Sequence, residues 1–286
     1  MPNAPIFQRI FQRRKNEPES ALCMGKPTRA RFNSRAEQVP ETCYSPGPGE
    51  NSWYPPLMIS AASIASQIMQ PDRIRTALEL LLKLEPDDYV RYLIRFYQQG
   101  LKRFGSSWRY ADIVTVLLTL SELLKPRTYL EIGVRRGRSV CAVGSRAPEC
   151  QIVMFDMWAE NYAGIENPGP DFVRRGLQKM GHRGEMVFVN GNSHETLPRY
   201  FSANPNAWFD LITVDGDHSD EGAAQDLREV LPRLNIGGAV VFDDIGHPQH
   251  PGLRRVWLEM VAEEPRFSTW TFEEVGFGVG FGMRRW

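Results

Sequence analysis

Residues 209–245 read FDLITVDGDHSDEGAAQDLREVLPRLNIGGAVVFDDI and indicate the fold more clearly than any other part of the chain. The apolar run WFDLITVD is followed by a helical pattern from Ser219 to Leu231, and then by a second apolar run, GGAVVFDD. Short apolar runs rich in β-branched residues are typical of buried strands, and a helix between two of them is typical of a parallel crossover. The stretch therefore predicts a strand–helix–strand unit.

The same alternation continues on both sides of this unit. Upstream, the runs TYLEIGV, IVMFD and EMVFVN are each followed by a helical stretch, beginning at Arg138, near Asp171 and near His194. Downstream come a helix from Leu253 and a hairpin formed by FSTWTFEEV and GFGVGFGM. Residues 128–286 are therefore predicted to form an α/β domain, with a mainly parallel sheet, helices on both faces and an antiparallel C-terminal hairpin.

Two further segments precede this domain. Residues 57–127 carry apolar residues at helical spacing and are predicted to form a helical segment, in which the third helix begins near Ser106 or Ser107. Residues 1–56 hold nine of the 21 prolines and are predicted to be a flexible, Pro-rich arm.

Charge and composition exclude several classes of protein. The 34 basic and 34 acidic residues give a net charge of zero, which provides no electrostatic footprint for nucleic acid. No run of about 20 apolar residues exists, so no transmembrane segment is expected. The four cysteines form no zinc-type spacing and the N-terminus lacks a signal-peptide core, so we expect reduced thiols in a cytoplasmic protein.

Candidate site residues follow the predicted strands. Ligands of such sheets bind at the carboxyl ends of the strands, where glycines allow close approach and the next helix offers free N–H groups. An acidic or small polar residue at the end of a strand could instead be an ordinary loop residue or a helix cap. The candidates are Glu131, Gly133, Gly137 and Ser139 after the first strand, Asp156 and Met157 after the second, Asn192 and Ser193 after the third, Asp215 and His218 after the fourth, and Asp243 and Asp244 after the fifth.

Three of these acids predict a metal site. Carboxylates of Asp215, Asp243 and Asp244 at adjacent strand ends would repel one another unless they were protonated or bridged by a cation. Oxygen ligands with room for water suit Mg²⁺, with Mn²⁺ as a substitute.

These motifs resemble those of the class I S-adenosylmethionine-dependent methyltransferases, which have a Rossmann-like sheet. The resemblance is strongest to the metal-dependent O-methyltransferases, in the branch of the macrolide-sugar O-methyltransferases and the cephalosporin hydroxylase-like proteins, and it covers residues 128–245. Leu130-Glu131-Ile132-Gly133 with Gly137 and Ser139 matches the first motif, and Asp215 with Asp243-Asp244 falls where these enzymes hold their cation.

The resemblance implies a role for each candidate. The loop from Gly133 to Ser139 would meet the methionine part of S-adenosylmethionine, with Glu131 near its amino group. Asp156 would hold the ribose, while Met157, Asn192 and Ser193 would face the adenine. His218 would take a proton from the hydroxyl of a small-molecule acceptor, first a sugar or a natural-product glycoside and second a catechol-like phenol.

Two other classes of function remain open at this point. A sheet of this kind could bind a nicotinamide dinucleotide and transfer hydride, although the loop reads E-x-G-x-x-x-G rather than G-x-G-x-x-G. The domain could also bind its cofactor without turnover, as an assembly protein. The N-terminal helices are a candidate surface for homo-oligomer formation.

Overall fold

The computed structural model describes residues 59–160, 166–274 and 276–286. The predicted arm over residues 1–56 lies outside these ranges. No helix in the described ranges is both long enough and apolar enough to cross a membrane.

The described chain begins with four helices. They are α1 (Ala61–Ile68), α2 (Pro71–Lys83), α3 (Asp88–Phe104) and α4 (Ile113–Leu124). The predicted start of the third helix was wrong, because residues Gly105–Ser107 form only a 3₁₀ turn and α4 begins six residues later. Its start is fixed at Asp112, whose carboxylate accepts from the backbone N–H of Thr115 at 3.0 Å while the Thr115 hydroxyl accepts from the N–H of Asp112 at 3.0 Å. This capping box satisfies N–H groups that the first turn leaves unpaired.

The rest of the described chain forms a seven-stranded sheet with the order β3-β2-β1-β4-β5-β7-β6. β1 to β5 are parallel, and β7 pairs antiparallel with both β5 and β6. The predicted α/β fold with a C-terminal antiparallel hairpin is confirmed. The strands are β1 (Thr128–Ile132), β2 (Gln151–Asp156), β3 (Met186–Asn190), β4 (Phe209–Val214), β5 (Leu234–Asp243), β6 (Phe267–Phe272) and β7 (Val279–Arg284).

Helices connect the parallel strands as predicted. Ser219 caps the helix after β4, since its hydroxyl accepts from the N–H of Gly222 at 3.1 Å. The helix after β5 continues into a π-helical turn over Leu258–Ala262. The helices are α5 (Arg138–Arg146), α6 (Pro170–Lys179), α7 (Ser193–Ala203), α8 (Asp220–Val230) and α9 (Gly252–Trp257).

Two apolar cores cover the two faces of the sheet. Successive residues of a strand point to opposite faces, so Tyr129 joins one core while Leu130 and Ile132 join the other. Helices α1 to α4 bury their apolar faces in the first core together with Tyr129 and Met154. The helical segment therefore packs on the sheet and shares its core.

The strand register brings the carboxyl ends of the central strands to one level. Ile132 at the end of β1 pairs with Phe155 of β2 and with Val214 of β4. Immediately after β1, Gly133 has a φ of +86°, and a Cβ at this position would lie 1.8 Å from the backbone oxygen of Asp215. Only glycine allows the two backbones to approach so closely.

Substitution of Gly133→Ala is therefore expected to lower the free energy of unfolding by about 2–5 kcal/mol. The left-handed backbone costs a residue with a side chain about 1–2 kcal/mol, and overpacking adds about 1–3 kcal/mol. Gly181→Ala is the matched control, because Gly181 has a φ of +87° but open space around the added Cβ. Urea unfolding of both variants separates the two costs, and an equal loss in both would contradict the close approach at Gly133.

Candidate functional site

Glu131 is buried beneath the loop that joins β1 to α5. It is 0% exposed, and its carboxyl group accepts hydrogen bonds from the hydroxyls of Tyr129 and Ser139. The Tyr129 oxygen also lies 2.8 Å from Oγ1 of Thr213 on β4. Burial raises the pKa of Glu131 to about 8. Glu131 therefore holds Ser139, the last residue of the predicted cofactor loop, through a buried hydrogen bond.

Asp156 at the end of β2 holds the same loop from the side. Its Oδ2 accepts from the backbone N–H groups of Val134 and Arg135, both at 2.7 Å. Its Oδ1 accepts from the N–H of Trp158 at 2.5 Å. These bonds fix the position of the loop and the direction of the carboxylate that is predicted to meet the ribose.

A cavity of about 250 Å³, here called the rim cavity, opens at this edge of the sheet. Asn192 forms part of its wall and also caps α7, because its side-chain oxygen accepts from the N–H of His194 at 3.0 Å. The sequence-predicted residues that line the rim cavity are Gly133, Asp156, Met157, Asn192, Ser193, Asp215 and His218.

The remaining predicted loop residues lie beside the rim cavity. Ser139 lines a small neighbouring cavity of about 50 Å³, which shares Gly133, Arg135 and Asp215 with the rim cavity. Gly137, with a φ of +73°, is the residue immediately before α5. The loop between Gly133 and Ser139 thus separates two adjoining spaces at the helix N-terminus, where free N–H groups favour an anionic group.

Three side chains at the rim lie close enough together to form a candidate cation-binding site. One ligand atom from each of Asp215, His218 and Asp244 lies within 4.8 Å of the others. Nε2 of His218 is 3.4 Å from Oδ1 of Asp215 and 3.7 Å from Oδ2 of Asp244. We call these residues the rim trio.

The rim trio differs from the predicted trio of carboxylates, since it holds His218 and lacks Asp243. Asp243 is the last residue of β5, and Asp244 follows it with a φ of +61°. Consecutive residues at the end of a strand tend to point to different sides. The side chains of Asp243 and Asp244 therefore need not reach the same cation. The sequence shows only that two aspartates are adjacent, and does not show in which direction each side chain points.

The electrostatics at the rim reflect burial of like charges. Burial and then the negative charge of Asp215 raise the pKa of Asp244 to about 7. The same two causes, in the same order, hold the pKa of Asp243 well above its usual range. A hydrogen bond with Asp215 raises the pKa of His218. A cation at this place would relieve the repulsion between the carboxylates.

On the other side of Asp244 lies a cavity of about 60 Å³, here called the helical-side cavity. Its wall includes Asp243 and Asp244 from the sheet together with Tyr89, Tyr110 and Arg138. The sequence patterns named neither these tyrosines nor Arg138 as site residues, because no spacing links the helical segment to the strand ends. The helical segment thus supplies part of the candidate site.

Comparisons with known proteins agree with this arrangement. The strand order, with antiparallel β7 inserted between β5 and β6, matches a Rossmann-like methyltransferase fold. Residues 130–245 match a family model described as a methyltransferase domain. The matched stretch is less than half of the chain, and over that stretch the chain is similar to methyltransferase domains.

Several solved structures are similar to this chain at low identity. The O-methyltransferase TomG from Streptomyces achromogenes, solved with SAM, is 21% identical, with a TM-score of 0.49 over 71% of this chain and 92% of its own. An O-methyltransferase from Bacillus cereus, solved with SAH, is 17% identical, with a TM-score of 0.49 over 70% of this chain and 92% of its own.

One similar curated protein is an uncharacterized protein, y4gI, of Sinorhizobium fredii. It is 26% identical over an alignment of 175 residues, which covers 58% of this chain. The match spans only 18% of the length of that relative.

Glu131→Gln is expected to remove a pH-dependent loss of stability. In the folded protein the pKa of Glu131 is about 8, so its carboxyl keeps the proton until the pH approaches that value. In the unfolded chain a glutamate carboxyl has a pKa of about 4.3. A raised acid pKa means that stability is fully present below the unfolded value and falls as the pH rises towards the folded value. The loss across this window is on the order of 5 kcal/mol.

Urea unfolding of the wild type and Glu131→Gln at pH values between about 5 and 8 checks this expectation. The wild type is expected to lose stability more steeply with rising pH than the variant. Glu79→Gln, on an exposed position of α2, controls for the change of side-chain chemistry itself. Parallel profiles for the wild type and Glu131→Gln would show that Glu131 is ionised in the folded protein.

Proposed function

We propose that this protein transfers the methyl group of S-adenosylmethionine to a hydroxyl of a small molecule, with the help of a divalent cation. One observation carries the proposal: the rim trio lies between the two cavities. Asp215 and His218 line the rim cavity, whereas Asp244 lines the helical-side cavity. A cation on this trio would touch both the cofactor side and the acceptor side.

The rim cavity fits the cofactor in size and chemistry. Its volume of about 250 Å³ is close to the lower end of the range of ligand pockets, about 300 Å³, and would enclose part of a nucleoside-bearing ligand. Asp156 would accept from the ribose hydroxyls, while Met157, Asn192 and Ser193 would surround the adenine. The loop from Gly133 through Gly137 to Ser139 would meet the methionine part, with Glu131 supporting it from beneath.

The rim trio fits a divalent cation by its donor set, two carboxylates and one imidazole. Carboxylates suit Mg²⁺ and Mn²⁺, whereas an imidazole ligand is more typical of transition metals. Asp215 and Asp244 are compatible with either ion, and His218 favours Mn²⁺ of the two. A bound cation lowers the pKa of a substrate hydroxyl and fixes its direction.

The protein's own residues would contribute mainly alignment. The chain holds Asp215 and Gly133 together by the close approach of their backbones, so the cofactor loop and the rim trio keep a fixed separation. Positioning of reacting groups supplies up to about 7–11 kcal/mol in favourable cases. The resemblance implied that His218 is the general base, and its place in the rim trio also makes it a candidate ligand.

The hydroxyl-bearing end of the acceptor would reach the rim trio through the helical-side cavity, whose volume of about 60 Å³ does not hold a whole sugar. Tyr89, Tyr110 and Asp112 give this cavity a polar wall, in which Asp112 already accepts hydrogen bonds from Tyr97, Tyr110 and Thr115. A sugar or a natural-product glycoside matches such a wall better than a catechol-like phenol, which offers fewer hydroxyls for its size. The nicotinamide alternative has no comparable support, because hydride transfer requires no cation between the cavities.

Substitution of Asp215→Asn or Asp244→Asn is expected to weaken Mn²⁺ binding by about tenfold or more, because each change removes a charged ligand from the rim trio. Isothermal titration with Mn²⁺ alone, or its electron paramagnetic resonance signal, measures this without any acceptor. Asp220→Asn is the matched control, since Asp220 lies outside the trio and pairs with Arg255 at 2.8 Å. Wild-type Mn²⁺ affinity in both trio variants would disprove the cation site.

His218→Ala in the same titration separates the two roles of this residue. A ligand role predicts weaker Mn²⁺ binding, as for the two aspartates. Unchanged Mn²⁺ affinity combined with slower methyl transfer would restore His218 as the general base.

The cofactor assignment predicts that S-adenosylhomocysteine binds saturably and that NAD does not. Ser193→Ala is expected to weaken this binding by about threefold to tenfold, because a neutral hydrogen bond to a ligand contributes on the order of 1 kcal/mol. Ser145→Ala, on α5 and away from the rim cavity, is the control. Tight NAD binding without S-adenosylhomocysteine binding would overturn the proposal. Cofactor binding without methyl release to any hydroxyl compound would favour the assembly-protein alternative.

A further inference from the structure

A second large cavity lies away from the rim. Its volume is about 240 Å³, and none of its lining residues lines the rim cavity. It is bounded by the end of α2, the start of α3, and one side each of α5 and α6. We call it the basic cavity, after the charged side chains in its wall.

Positive charge dominates this wall. Five cations and two carboxylates line the cavity, which leaves a net charge of +3. The cations are Lys83, Arg136, Arg138, Arg175 and Lys179, and the carboxylates are Glu85 and Asp87.

Only one of the five cations is neutralised within the wall. Nε of Arg136 lies 3.2 Å from Oδ2 of Asp87, whose other oxygen accepts from the N–H of Val90 at 2.7 Å. Arg136 also lies 3.4 Å from Glu166 and stacks over the ring of Phe172 at 4.5 Å. Asp87 and Arg136 thus form a fixed, neutral part of the wall.

The other four cations have no ion pair within 4.0 Å among residues 59–160, 166–274 and 276–286. Arg138 is the most enclosed of them. Its Nε is buried without a hydrogen-bond partner in the same ranges, and its guanidinium lies 4.7 Å from the centre of the Tyr89 ring. A buried donor without a partner is costly, so an acceptor from outside the protein would be stabilising.

The wall also has an apolar part. Leu84, Val90, Phe172 and Met180 line the same space, next to the cationic side chains. Phosphate groups bind well to clustered arginine and lysine, because each N–H···O⁻ bond is assisted by charge. The apolar part would cover an organic body attached to the phosphate.

We propose that the basic cavity binds a phosphorylated organic molecule of about the size of a nucleoside diphosphate. The basic cavity shares no lining residue with the rim cavity, whereas Arg138 also lines the helical-side cavity. Binding of a phosphorylated molecule there does not depend on the proposed methyl transfer. Arg136 and Arg138 also line the small cavity that contains Gly133, Ser139 and Asp215. An occupant of the basic cavity would therefore lie next to the cofactor loop, either as a separate effector or as the phosphate-bearing end of an acceptor.

Calorimetric titration of the full chain with uridine 5′-diphosphate, inorganic pyrophosphate and uridine tests the site. Uridine 5′-diphosphate is expected to bind saturably and more tightly than pyrophosphate, and uridine is expected not to bind. The affinity for uridine 5′-diphosphate is expected to fall with added salt. The double variant Arg175→Gln/Lys179→Gln is expected to weaken this binding by about tenfold or more. Both residues are exposed on α6, so the fold should tolerate the change.

Two matched variants make the result specific. Lys102→Gln/Arg103→Gln removes the same charge from exposed positions at the end of α3, outside the basic cavity, and is expected to bind as the wild type does. Arg175→Lys/Lys179→Arg keeps the charge and is expected to retain most of the affinity. Equal weakening in the Lys102/Arg103 variant would show that only the overall charge matters, and would overturn the proposal.

Repeating the titration with saturating S-adenosylhomocysteine distinguishes the remaining outcomes. Retained binding supports a separate site, whereas complete displacement would place the diphosphate in the rim cavity and overturn the proposal. Absence of saturable binding by either phosphorylated probe would also overturn it. If the site is confirmed, a changed diphosphate affinity with the cofactor product present would show that the two sites are coupled, as an effector or a neighbouring acceptor requires. Unchanged affinity would exclude an effector of cofactor binding.

Discussion

The site depends on one close approach between two backbones. Gly133, immediately after β1, lies so near the carbonyl of Asp215, immediately after β4, that even a methyl group would collide with it. Because β1 and β4 are neighbours in the sheet, this approach holds the cofactor loop and the first member of the rim trio at a fixed separation. Hydrogen bonds from Val134 and Arg135 to Asp156 then tie the same loop to β2.

Several acidic side chains are buried next to this close approach of the two backbones. Glu131 lies in the core under the loop, and Asp243 and Asp244 are packed close to Asp215. Such carboxyls are costly while they are charged and unpaired, so each raises its pKa or needs a positive partner. The whole chain has no net charge, but residues 128–286 carry a net charge of −6. The overall neutrality thus conceals a local negative field at the rim and a positive one in the basic cavity.

Sequence patterns predicted the sheet well because its signals are local. Alternating apolar runs and helix caps such as Ser219 depend on neighbouring residues, and the strand-end rule then gave seven of the fifteen residues that line the rim cavity. The start of α4 was missed because Asp112 competes with the serines at 106 and 107, and only tertiary contacts decide between them. Sequence patterns also could not predict that the rim trio contains His218 and not Asp243, since this depends on the direction of the side chains at a strand end.

The helical segment shows why a boundary in composition need not be a boundary in function. Its helices bury their apolar residues in the same core as β1 and β2, so their position relative to the sheet is fixed by packing. This packing places Tyr89 and Tyr110 beside Asp244, and Lys83 and Asp87 beside α5. A strand-end site on the sheet alone would be open to water on this side. The helices convert it into two bounded spaces, one next to the rim trio and one of opposite charge behind the cofactor loop.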